Sequence, residues 1–87
     1  MKHAGPASLV ILDKLLESLR DIPGMVEKRP GVFYRKSRAC LHFHEDPSGM
    51  FADVRFAGED FERLPVNSAQ EQDALVERIR FAGLEVI

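Results

Sequence analysis

The sequence predicts an α+β fold: a two-layer sandwich in which an antiparallel meander of three or four strands carries an N-terminal and a C-terminal helix on one face (α-β-β-β-β-α). Three features carry that reading. Residues 38–56, RACLHFHEDPSGMFADVRF, alternate apolar and polar side chains on both sides of a turn. Leu9, Leu12, Leu16 and Leu19 recur at helical spacing before this hairpin, and Leu75, Val76, Ile79 and Ala82 recur after it. A sheet with one apolar and one polar face packs its amphipathic helices on the apolar side and leaves the other side open.

Taken in order, residues 1–5 read as a flexible arm. Pro6 suits a first helical turn, where its missing N–H costs nothing, and the leucine stripe, widened by Leu15 and Ile22, continues for about four turns. Val10 and Ile11 fall off that stripe and are expected to make a second core contact, the alternative being contact with a partner. Pro23-Gly24 ends the helix, because the residue before Pro is pushed out of the α region and Gly accepts positive φ. Met25-Val26 starts an extended passage, Pro30-Gly31 turns it, Val32–Arg35 is the first strand, and Lys36-Ser37 turns into the central hairpin.

Asp46-Pro47-Ser48-Gly49 has the residues of a type I turn. Two registers fit it. Pairing Glu45 with Met50 sets Phe43 against Ala52, Leu41 against Val54 and Ala39 against Phe56, with His44–Phe51, His42–Asp53 and Cys40–Arg55 on the other face. Pairing Asp46 with Met50 instead sets Phe43 against Asp53 and Leu41 against Arg55. A one-residue slip moves a strand's whole apolar set across the sheet, so the first register is the expected one. It gives one dry face and one face bearing imidazoles, a carboxylate, a guanidinium, a thiol and a phenyl ring.

Beyond Phe56, Ala57–Asp60 turns the chain and Phe61–Val66 reads as a fourth strand, with Pro65 suited to an edge. Ser68-Ala69-Gln70-Glu71 is a capping box for the last helix, Gly83 is placed as its C-cap, and Leu84–Ile87 is an apolar tail.

Composition narrows the class. The 87 residues make a single domain, 1–87, with a modest core, and 45% apolar and 30% charged residues are those of a globular chain. A net charge of −2 gives no global pull toward nucleic acid. The single cysteine excludes an internal disulfide framework and fits a reducing compartment. Asp13, Lys14 and Glu17 interrupt the first apolar stretch too early for a signal segment or a membrane span, so the expected location is the cytoplasm.

At Ile22-Pro23-Gly24-Met25-Val26-Glu27-Lys28-Arg29-Pro30-Gly31, a helix ends in an apolar-Pro-Gly-apolar step followed by a Glu and a short sheet. This resembles the small bacterial MmcQ/YjbR-like proteins, which are sometimes compared with double-wing DNA-binding domains. The hairpin LHFHEDPSGMFADVRF with the following strand and helix also resembles the uncharacterised "luciferase domain" family. The likeness spans residues 20–82. It implies a fold class and carries over no catalytic residue.

Three functions compete. The leading expectation is a binding or interaction module, favoured over an enzyme, with its ligand or partner on the open face at His42, His44, Phe51, Asp53 and Arg55; a homodimer is one such arrangement. The basic run Lys28, Arg29, Arg35, Lys36 and Arg38, interleaved with Phe33 and Tyr34, is a candidate nucleic-acid surface, although Glu45, Asp46, Asp53, Glu59, Asp60 and Glu62 follow it. His42 and His44, two apart on one strand, with Asp53 across from His42, are a candidate metal set for a metal-dependent enzyme or a metal binder, zinc being the ion it suits; cross-strand His–Asp pairing explains the same residues without a metal. Cys40 with His42 and Asp53 could form a nucleophilic couple only loosely at this spacing, and Cys40 reads instead as a small filler at the sheet edge.

Overall fold

The computed structural model describes residues 2–56 and 60–86, with side chains described for 4–56 and 60–81. The chain runs β1 (Lys2–His3), α1 (Pro6–Ile11), α2 (Asp13–Arg20), β2 (Val26–Arg29), β3 (Val32–Arg35), β4 (Arg38–Asp46), β5 (Gly49–Val54), β6 (Glu62–Pro65) and α3 (Ala69–Val86). Strands β2-β3-β4-β5-β6 form one antiparallel sheet in sequence order, and β1 adds to β4. The architecture is the expected α+β arrangement with more strands. The extended passage at Val26 pairs with β3 as β2, with a register shift between Glu27 and Arg29 that leaves Lys28 out of the ladder. Lys2 and His3, read from the sequence as part of an arm, lie antiparallel to Glu45 and His44, and the Ala4 N–H donates to the Phe43 carbonyl.

The hairpin adopts the first of the two registers: Leu41↔Val54, His42↔Asp53, Phe43↔Ala52, His44↔Phe51 and Glu45↔Met50. Its apolar side chains Leu41, Phe43, Ala52 and Val54 are buried and join Leu12, Leu15, Leu16, Leu19, Phe33, Leu75, Val76 and Ile79 in one core. Both long helices therefore lie on the dry face. Burying a Phe or Leu there contributes about 1.5–3 kcal/mol each, which is how an 87-residue chain holds its sheet.

The turns follow from their residues. Pro30 with Gly31 at φ 77° makes the β2–β3 connection, and a Cβ on Gly31 would stand 2.8 Å from a methyl of Leu9, so α1 packs directly over this turn. Lys36 and Ser37 both take positive φ (51° and 67°) between the paired Arg35 and Arg38, the backbone of a two-residue hairpin turn normally given to Asn-Gly. Asp46 accepts from the Ser48 N–H at 2.8 Å, closing the β4–β5 turn. The capping box forms as expected: Ser68 accepts from the Glu71 N–H and Glu71 from the Ser68 N–H, both at 3.1 Å.

Four local expectations are corrected. The first helix is not continuous: at Leu12 (φ −89°, ψ 9°) the chain leaves helical geometry, which seats Leu12 itself at the centre of the core. Val10 and Ile11 make no second core contact and are 75% and 66% exposed. The α3 backbone continues past Gly83 to Val86, so Gly83 is not its C-cap. Between β3 and β4 the ladder steps from Phe33↔Leu41 to Tyr34↔Ala39, so Cys40 is an extra residue. This bulge exchanges Ala39 and Cys40: Ala39 pairs with Tyr34, and Cys40 turns into the core, its sulfur 3.7 Å from that of Met25. The turn expected at Ala57–Asp60 lies largely outside the described residues, as do the Leu84–Ile87 tail's side chains.

Candidate functional site

The open face is built row by row. Across the middle of the sheet, Val32, His42, Asp53 and Arg63 are successive cross-strand partners from β3 to β6; the next row holds His44, Phe51 and Pro65. Directly paired residues project to the same side, so four strands deliver one cluster.

Asp53 is its centre. It is only 7% exposed, and an ionised carboxylate so placed needs charged partners. Arg63 supplies two hydrogen bonds, Nε to Oδ1 at 2.8 Å and Nη2 to Oδ2 at 2.9 Å. His44 supplies a third contact, Nδ1 to Oδ2 at 2.7 Å. The Arg63 guanidinium, with the His44 imidazole adding to it, holds the Asp53 carboxyl below the usual carboxylate range against the opposing effect of burial.

His42 takes another role. Although it faces Asp53 in the ladder, its ring packs edge-on against His44 (centroids 4.6 Å apart, planes at 81°) and against Phe61 (5.1 Å, 61°). Arg55 stacks its guanidinium 4.6 Å above the Phe61 ring and donates from Nη2 to the Ala39 carbonyl. Phe51 is half-buried opposite His44. Thus all five residues expected on this face are there. One ligating atom from each of His42, His44 and Asp53 lies within 4.8 Å of the others.

The sequence reading missed Arg63 and Phe61. Arg63 was legible in principle, since continuing the antiparallel ladder from β5 to β6 sets it opposite Asp53; the four-residue alternation of β6 is too short to fix that register by itself. The thiol belongs elsewhere. Cys40 does not share the imidazole face, and burial raises its pKa above the ordinary thiol value despite the pull of Arg35 and Arg55. Glu45 points to the helical side, where it accepts from the Ser8 hydroxyl.

The basic run is divided by the fold. Lys28 and Arg29 end β2, and Lys28 Nζ lies 5.8 Å over the Tyr34 ring; Arg35, Lys36 and Arg38 surround the turn at the opposite end of β3. Phe33 is fully buried, leaving Tyr34 as the aromatic available to a base. Among the described residues, no helix is long and apolar enough to cross a membrane.

No protein-family model, no curated protein and no solved structure matches this chain.

Proposed function

We propose that this chain is a binding module of the cytoplasm and that its ligand sits on the open sheet face around His42, His44, Phe51, Asp53 and Arg55, with Arg63 and Phe61 completing the site. The observation that carries the reading is the buried Asp53 carboxylate, held by Arg63 and His44 on a side of the sheet that no helix covers among the described residues. Hydrophobic residues of similar volume would stabilise a sheet face at least as well as such an ion-paired cluster. The cluster instead offers convergent polar groups beside the aromatic surfaces of Phe51 and Phe61, the composition of a small-ligand site.

The test is amide chemical-shift mapping with a fragment library in metal-free buffer. The proposal expects hits to perturb β4, β5 and β6 around these residues. Hits that map to the helical side, or none at all, would count against it. Size-exclusion light scattering on the same sample decides whether a second copy of the chain is the partner instead.

A further inference from the structure

We propose that this face takes a divalent transition-metal ion, with zinc as the reference ion, between His42, His44 and Asp53, and that Arg63 is the resident cation that the ion displaces from Asp53. The inference deepens the proposed function and rests on it, since the metal would be the ligand, or the anchor for one, on the same surface.

The donor chemistry is that of a three-ligand site. Two imidazoles and one carboxylate suit zinc and its neighbours in the transition series, and three protein ligands leave the remaining position for water or a ligand atom. The donors come from adjacent strands of the best-paired hairpin in the fold, so their Cα positions are fixed by the β4–β5 ladder. Their atoms lie within 4.8 Å of one another, whereas donors sharing one zinc at about 2.0–2.2 Å stand closer than twice that bond length. Side-chain rotation on the order of 1 Å closes the difference, with no movement of the backbone.

Arg63 completes the argument. Asp53 has one negative charge and two positive or polarised partners, and of these Arg63 comes from the edge strand β6 with a side chain that is 50% exposed. It can leave for water, while Asp53, 10% exposed at its side chain, stays where it is. An incoming dication needs the carboxylate that the guanidinium now occupies. Ion and guanidinium therefore compete for the same oxygens, and that competition distinguishes a metal site from a structural His–Asp–Arg network.

The experiment is a calorimetric titration of zinc chloride into the full chain, the wild type beside Arg63→Gln, His42→Ala and His44→Gln, with circular dichroism confirming that each is folded. The proposal expects saturable binding of one ion per chain. Removing the competing cation in Arg63→Gln should tighten binding about tenfold, and His42→Ala should weaken it at least about tenfold. Binding seen only in Arg63→Gln supports the site with Arg63 as its guard. Loss of affinity in Arg63→Gln, binding indifferent to both histidine substitutions, or no binding in either wild type or Arg63→Gln would overturn it. Should His42→Ala unfold, His44→Gln and the Arg63→Gln comparison still decide. If zinc fails while metal-free fragments still map to the face, the metal alone is refuted; if the fragments also fail to map there, the binding face goes with it.

Discussion

His44 places its Nδ1 2.7 Å from Oδ2 of Asp53, although the residue directly across the ladder from Asp53 is His42. The contact is a diagonal one, within reach because neighbours one row apart on a sheet face still touch through long side chains. It leaves His42 to pack its ring between His44 and Phe61, and it divides the two histidines into one that orients on a carboxylate and one that stacks.

Acid should destabilise the fold through Asp53 and Glu27. Arg63 holds the Asp53 carboxyl below its ordinary range, and Arg20, then the Gly31 N–H, do the same for Glu27. A folded-state value below the unfolded one means stability is complete above the unfolded pKa of about 4 and is lost as pH falls from there through the folded values. Urea unfolding between pH 7 and pH 3 should show that decline. Asp53→Asn should flatten it and lower stability at neutral pH by about 1–3 kcal/mol.

The two faces of β4 should respond very unequally to truncation. Phe43 is 2% exposed in the core, and Phe43→Ala should cost about 3–5 kcal/mol by chemical denaturation. His42→Ala, one residue away on the open face, should cost less than about 1 kcal/mol. The reverse order would mean that the hairpin is paired one residue out of step.

The β3–β4 turn is a site of removable strain. Lys36 and Ser37 hold positive φ without being glycine, at a cost of about 1–2 kcal/mol per residue in the left-handed region. Replacing the pair with Asn-Gly should raise the melting temperature, measured by calorimetry, by several degrees. A lowered melting temperature would show that these side chains hold the turn in some other way.

Most of this architecture was legible because the physical rules are local. Alternation on both sides of Asp46–Gly49 admitted only one register that kept Phe43 and Leu41 off charged partners, and Ser68 with Glu71 announced a helix start. What escaped depended on distant contacts. The bulge at Cys40 leaves no mark in a run whose residues still alternate, and the packing of the thiol on Met25 and the Phe33 carbonyl shows which way it turns. The break at Leu12 was hidden for the same reason: the leucine spacing is that of an unbroken helix, and the break seats a leucine that already belonged to the stripe. Arg63 required a register that four residues of β6 do not fix without the sheet beside them.

Cys40 supplies a chemical check on the bulge. A thiol buried against Met25, with its pKa raised by that burial, should react with a thiol-specific disulfide reagent far more slowly in the native chain than in urea. Fast native labelling would return Cys40 to the open face beside His42.

The most direct test of the His42–His44–Asp53 metal site is a long-range proton–nitrogen correlation spectrum of the imidazole rings, recorded without zinc and then with it. The account predicts that His44 carries a proton on Nδ1, toward Asp53, and that the ring nitrogens of His42 and His44 shift together when zinc is added. A His44 ring protonated only on Nε2, with neither His42 nor His44 responding to the metal, would contradict it.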